Sequence, residues 1–248
     1  MNKKVIIVTN NHGGIGANDD YQTYHTYFTS LEGGAWDDRE ICEIKSPSRQ
    51  TLLNYLDSAH IKSLDYLVLV FSGHGGLAAN MRDTDLCLRG NVRIDGYTVT
   101  DREIQHKAKR QLSIFDCCRY YEVNGKQLIV ENVNASKQAS DEYYTRAKVR
   151  EVYERCIDVT PKSWLNLYAC PKGGSTQGGD GEGGVFTNAL TDIDQFHQTA
   201  EMCCVPVNAI KDAYDLACEN PLTCIPRYDY VDKRMFGLPW HINPEMFH

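Results

Sequence analysis

The segment Asp65-Tyr66-Leu67-Val68-Leu69-Val70-Phe71 is apolar at nearly every position. A strand with one face in water alternates apolar and polar residues, so an unbroken run of this length reads as a strand buried on both faces. That is the mark of a parallel sheet covered by helices. Two other nearly continuous runs repeat it, within Lys4 to Thr9 and within Gln111 to Phe115, and further strand candidates lie at Glu40 to Lys45, Trp164 to Ala169 and Leu222 to Arg227. Longer amphipathic stretches fill the gaps: Asp20 to Leu31, Arg49 to Ile61 after a Ser48 cap, Asp101 to Lys109 after a Thr100 cap, Val185 to Phe196, and Val207 to Cys218 after Pro206. These have helical spacing and helix-start residues. The alternation predicts an α/β chain, a three-layer αβα sandwich around a six-stranded, mostly parallel sheet with a final antiparallel edge strand.

At 248 residues, one compact core over residues 1–248 is the expected organisation. Basic residues number 26 against 33 acidic, a net charge of -7, which argues against nucleic acid as a partner because that surface needs clustered positive charge. No apolar run approaches membrane-spanning length, and the stretch Val5 to Val8 is too short for a secretory core. Ten cysteines without any C-x-x-C pair give neither a disulfide scaffold nor a zinc motif, and point to a reducing, cytoplasmic setting.

Residues 120–162 differ in texture from their surroundings and read as an insertion between a first part, 1–119, and a last part, 163–248. Asn124-Gly125 between apolar flanks predicts a tight hairpin, residues 132–141 are loop-like, and Val149, Val152, Tyr153 and Cys156 fall at helical spacing with Arg146, Lys148 and Arg150 on other faces. Lys172 to Gly184 holds seven glycines and reads as a mobile surface loop.

Chemistry concentrates at two strand ends. The run ending at Phe71 continues Ser72-Gly73-His74-Gly75-Gly76, and the run ending at Phe115 continues Asp116-Cys117-Cys118-Arg119. In an open parallel sheet, adjacent carboxyl ends line the ligand crevice, so an imidazole and a thiol can share one cleft. A free thiol is only a few per cent thiolate at neutral pH, and a nearby imidazole supplies the base that activates it for attack on a carbonyl. The amides of Gly75 and Cys118 are candidates to hold the developing oxyanion.

An apolar strand ending in His-Gly, followed by another ending in Asp-x-Cys-Arg, resembles the caspase-like cysteine peptidases, with metacaspases and paracaspases as the closest branches. The likeness continues in Asn18-Asp19 before the first helix, in Leu167-Tyr168-Ala169-Cys170, and in Gly183-Gly184-Val185-Phe186-Thr187. The resemblance implies that His74 and Cys118 form the catalytic dyad, that Cys117 is buried, and that Asp116 with Asp19, or next Asp20, forms the S1 pocket. A carboxylate floor selects a basic P1 residue, arginine and then lysine, where a caspase proper cuts after aspartate. It further implies a protein or peptide substrate, a role in regulated proteolysis such as cell death, stress or defence, and self-processing within 120–162 at Arg146, Lys148 or Arg150. Arg119 after the nucleophile leans toward the paracaspase side. No cofactor is required; calcium activation follows from family analogy only, since no acidic run has the spacing of a calcium loop. Monomer and homodimer both stay open.

Two other classes fit parts of the pattern. A non-catalytic caspase-like adaptor would keep the fold as a docking module, and a redox sensor would use Cys117 and Cys118, although adjacent cysteines form strained disulfides. Other cysteines, including Cys203, Cys204 and Cys218, are expected to be small core residues. Gly13-Gly14-x-Gly16 lacks the third glycine of a dinucleotide loop, since Asp19 stands there.

Overall fold

The computed structural model describes residues 1–119, 142–179, 181–199, 204–219, 226–230 and 232–247. Along the chain, β1 (Lys3–Thr9) leads to α1 (Ala17–Thr29), β2 (Ile41–Lys45), α2 (Arg49–Leu56) and α3 (Ala59–Lys62). Then come β3 (Tyr66–Ser72), β4 (Gly75–Leu77), β5 (Thr84–Cys87), β6 (Thr98–Thr100) and β7 (Gln111–Asp116). Beyond the insertion follow α4 (Glu142–Val159), β8 (Trp164–Tyr168), β9 (Gly178–Gly179), β10 (Gly183–Gly184), α5 (Val185–Leu190), α6 (Ile193–Gln198), β11 (Val207–Ala209), α7 (Ile210–Glu219), β12 (Arg227–Tyr230) and β13 (Pro239–Ile242).

The central sheet has six strands in the order β12-β8-β7-β3-β1-β2, parallel throughout except for the edge strand β12. Both faces are buried, as the unbroken apolar runs require. Val5, Ile7, Val68, Val70, Leu112 and Ile114 pack into one core with α1, α4, α5 and α7, whereas Ile6, Val8, Leu67, Leu69 and Phe71 pack into a second beneath α2 and α3. The period of two along each strand therefore divides the side chains between two layers of helices.

Several boundaries differ from the sequence reading, each for a local reason. Arg49 to Ile61 is two helices, because Ser58 leaves the helix to cap α3 on the Ile61 amide, as Ser48 caps α2 on that of Thr51. Val185 to Phe196 likewise breaks at Asp192, which caps α6. The Thr100 capping box with Glu103 forms, but only a single tight turn follows, and His106 adopts the left-handed region. Val207 to Ala209 pairs with β13 instead of opening a helix. The expected hairpin at 123–126, the loop at 132–141 and most of the strand placed at 222–227 lie outside the described residues; the observed edge strand is Arg227–Tyr230.

β1 sits between β2, to which the chain crosses in one direction, and β3, to which it crosses in the other. This is a topological switch point, and the loops after β1, β3 and β7 converge beside it. The register sets Thr9, Ser72 and Asp116 in one row across the three strand ends.

Candidate active site

Beyond that row the three loops and the glycine hairpin β9–β10 enclose a cleft with about 350 Å³ of empty space. His74 and Cys118 both line it. The His74 ring is fixed by the loop after β1: Nε2–H donates to the His12 carbonyl oxygen at 2.8 Å. A carbonyl can only accept, so this bond puts the proton on Nε2 and leaves Nδ1 as the basic nitrogen. Burial lowers the His74 pKa, with the His12 hydrogen bond working against it, so the ring favours the neutral form that a general base needs. The group that orients the ring is a main-chain carbonyl, which any residue could supply, so no residue type in the sequence marks it.

Cys118 is half-buried, and its Sγ–H lies 3.8 Å from the Thr176 carbonyl across the cleft. Cys117 is fully buried under the sheet, and burial drives its thiol far above the ordinary range. A thiol in that state is not a nucleophile, which separates the two neighbours. Gly75 lies directly against them, since a Cβ there would stand 2.7 Å from Cys117 Sγ and 2.8 Å from the Cys118 carbonyl oxygen. The Cys87 amide donates to the His74 carbonyl, making that pair the hydrogen-bonded one of the β4–β5 ladder. The next pair, Gly75 with Leu86, is therefore the non-bonded kind, and its N–H points away from β5.

The floor of the cleft is acidic. Asp116 is 4% exposed; its Oδ1 accepts from Thr176 Oγ1 at 3.0 Å, and its Oδ2 from the Thr187 hydroxyl at 2.8 Å and amide at 3.2 Å. Asp20, 1% exposed, accepts from the Gly184 amide at 2.5 Å and from the Ser72 hydroxyl. Neither carboxylate has an ion-pair partner among the described residues. Burial raises the Asp20 pKa, and the charge of Asp116 raises it further; burial also raises Asp116. Gly184 is glycine for space: a Cβ would run into Asp116 Oδ2 and stand 3.3 Å from Asp20 Oδ2.

The structure reverses the ranking of the two aspartates on α1. Asp20 lines the cleft, while Asp19, one residue earlier and thus about 100° around the helix, accepts from the Gly181 amide at 2.8 Å and ties down the glycine hairpin. Sequence alone missed Ser72, Thr176 and Thr187, short hydroxyl residues whose role is visible only where they converge. The glycine-rich segment, expected as a mobile surface loop, instead forms a wall of the cleft.

Next to Cys118 in the chain, Arg119 is buried. Its Nε donates to Thr84 Oγ1 at 2.9 Å, its guanidinium stacks 3.7 Å above the Tyr168 ring, and its own amide donates to the Gly174 carbonyl at 2.9 Å. The Tyr168 hydroxyl donates to Asp101.

The three basic residues expected to be exposed processing sites stand elsewhere. Arg146 and Arg150 are half-buried on α4 and donate to the Thr29, Trp36 and Ala35 carbonyls; Arg150 also pairs with Glu40. Lys148 pairs with Glu151. A peptidase binds its substrate as extended chain, and a helix docked by these bonds does not offer one. Cys204 and Cys218 are exposed rather than in the core, and Cys203 lies outside the described residues. Among the described residues, no cluster of three or more His, Cys, Asp or Glu side chains is arranged to hold a metal ion, and no helix is long and apolar enough to cross a membrane.

A thiol and a tautomer-fixed imidazole thus share one cleft at the carboxyl edge of a parallel sheet. The sequence matches the family model of the caspase domain, peptidase family C14, over residues 3–209, and the chain belongs to that family of cysteine peptidases. Similar solved structures include caspase-1 from Spodoptera frugiperda, with 10% sequence identity and a TM-score of 0.54, covering 92% of this chain and 86% of that one. A structural-genomics target protein from Geobacter sulfurreducens is 14% identical with a TM-score of 0.53, covering 95% of this chain and 97% of that one. At such identities the likeness speaks to the fold. No curated protein sequence matches the chain.

Proposed function

We propose that the protein is a cysteine endopeptidase that cleaves polypeptides after arginine, and less readily after lysine, with Cys118 as nucleophile and His74 as base. In this mechanism Nδ1 of His74 takes the thiol proton, the Cys118 sulfur attacks the scissile carbonyl, and His74 returns the proton to the leaving amine. It then activates water to release the acyl group. The amides of Gly75 and Cys118 hold the oxyanion, where each donor is worth about 3 kcal/mol in the transition state.

The observation that carries the specificity is the pair Asp20 and Asp116, two buried carboxylates without a cation on the floor of the thiol's cleft. Such a pair favours a guanidinium, which offers several donors in a planar fork and is more weakly hydrated than an ammonium. Aspartate at P1 would add a third negative charge. The cysteines suit a reducing, cytoplasmic setting. The thiol–imidazole chemistry itself requires no cofactor, calcium activation follows from the family likeness only, and turnover measured with and without a chelator reads it out. Self-processing in the insertion, outside α4, falls within 120–141, beyond the described residues, or at 160–162, where Lys162 is exposed; intact mass after incubation reads it out.

The test is a panel of fluorogenic peptides with Arg, Lys or Asp at P1, run on the parent and on Cys118→Ala. Cleavage is expected in the order Arg, Lys, with Asp uncut, and Cys118→Ala is expected to lose at least about 10³-fold in kcat. Cleavage after Asp but not Arg overturns the pocket assignment.

A further inference from the structure

If Asp20 and Asp116 are the floor of an arginine pocket, something must neutralise them when no substrate is bound. The Asp20 carboxylate is met by the Ser72 hydroxyl and the Gly184 amide, and that of Asp116 by the Thr176 hydroxyl and by the hydroxyl and amide of Thr187. Every one of these donors is neutral. The two carboxylates also approach each other, since an oxygen of each closes on the same point above Gly184. Two like charges so placed and so dry cannot both ionise at ordinary cost, and the water-filled alternative is denied by burial of 1% and 4% exposure.

We propose that the empty pocket holds one proton shared between Asp20 and Asp116, and that an arriving guanidinium displaces it, so that binding of a P1 arginine releases about one proton to solvent. The balance is simple: the pair carries one negative charge with its proton, gains a cation, and loses the proton, so the net charge of the pocket does not change. No bond to carbon is made or broken. The upward shift of both carboxyls, caused first by burial, agrees with this.

The surrounding groups do not supply a competing cation. From α1, Tyr24 stands behind Thr187, and Asp19 is engaged with Gly181 at the rim. The end of β3 contributes His74, held by His12, and the end of β7 contributes the Cys118 thiol; Arg119 turns away to Tyr168 and Thr84. The hairpin and α5 contribute the half-buried Glu182 and the neutral Thr187. His74 is the imidazole among these groups, its pKa lowered by burial, and its contribution has to be separated.

The experiment uses Cys118→Ala, which cannot turn over, titrated with N-acetylarginine amide in a calorimeter in two buffers of different ionisation enthalpy. The guanidinium stays charged throughout, so the ligand itself does not titrate. Expected are release of about one proton near pH 7 and an apparent affinity that tightens about tenfold per pH unit between about pH 5.5 and 7.5. N-acetylcitrulline amide, isosteric and neutral, should bind far more weakly and release none. Cys118→Ala/Asp20→Asn should bind arginine more weakly, with no proton released and little pH dependence. Binding of arginine without proton exchange overturns the proposal and leaves the arginine pocket standing. Full release persisting in the Asp20→Asn variant overturns it too, because the proton then does not depend on the pair. No binding of arginine at any pH removes both the proposal and the specificity reading on which it rests.

Discussion

A half-buried charge cluster and a fully buried one lie at opposite ends of the same strands. At the amino ends of β1 and β3, Lys3 Nζ sits 4.1 Å from the Trp36 ring centroid and 3.4 Å from Glu154, and Arg150 bridges Glu40, Glu154 and Asp37. At the carboxyl ends, Asp20 and Asp116 meet only neutral donors. In the first cluster opposite charges are matched within the chain. Burial still pulls Lys3 down to about 8, against the charges of Glu40 and Glu154, but burial's upward pull on Glu40 is outweighed by its Arg150 hydrogen bond and by Lys3. The second cluster is left one cation short. A fold can tolerate a desolvated charge if it is paired, so an unpaired set on the floor of a cleft marks where an outside group is expected to complete it.

The comparison can be broken by mutating each cluster and reading both activity and stability. The largest effect falls on the cleft: Asp116→Asn or Asp20→Asn should lower kcat/KM for an arginine substrate by at least about thirtyfold, the equivalent of 2 kcal/mol or more for losing a buried charged partner. Circular dichroism should show the variants folded. Arg150→Ala should do the reverse, costing about 2 kcal/mol of stability, or roughly 4–8 °C in Tm, with kcat/KM kept within about twofold. Should Arg150→Ala, still folded at the assay temperature, lose as much activity as the aspartate variants, the division into a structural and a functional cluster fails. A smaller effect tests the buttress beside Cys118: Arg119→Lys keeps the charge but loses the planar stack on Tyr168 and the Nε bond to Thr84. It should slow alkylation of Cys118 and lower kcat about tenfold with KM little changed, since a positioning residue acts on the reacting sulfur rather than on the P1 side chain.

How much of this was legible beforehand follows the range of the interactions. The three apolar runs announced a doubly covered parallel sheet because burial on both faces is written locally, residue by residue. His74 and Cys118 were legible for a related reason, as each ends such a run. Helix breaks at Asp57 and Thr191 were not, because Ser58 and Asp192 can sit in a helix or cap the next one, and only the packing of the following turn decides. Asp19 and Asp20 could not be ranked without the starting phase of α1, which Gly16 sets by its left-handed φ of 81°. The role of Arg150 was misread because a basic residue on a helix looks alike in sequence whether it faces solvent or the carbonyls of Ala35 and its neighbours. Thr176 and Thr187 flank one glycine hairpin and the His12 carbonyl comes from the far end of the chain, and no spacing rule joins the three.

The smallest effect sharpens the contrast through its sign. The folded-state pKa of Asp20 lies above its unfolded value of about 3.9, so the group contributes stability below that pH and loses the contribution as pH rises toward the folded value. Asp20→Asn cannot ionise, and its amide can still accept from the Gly184 amide and donate to the Ser72 hydroxyl oxygen. The variant should therefore match the parent near about pH 4 and become more stable, by about 1 kcal/mol, near about pH 8. Glu40 runs the other way: its pKa is lowered in the fold, so the stability it contributes is present at neutral pH and lost on acidification, and the deficit of Arg150→Ala should shrink as pH falls toward about 4. Urea unfolding of the parent and both variants at the two pH values measures this. A variant that gains stability at the same position where it loses the substrate would mean that the cleft holds its charge for an occupant; an Asp20→Asn protein less stable than the parent at the higher pH would mean that Asp20 is instead a structural acceptor, satisfied as it stands.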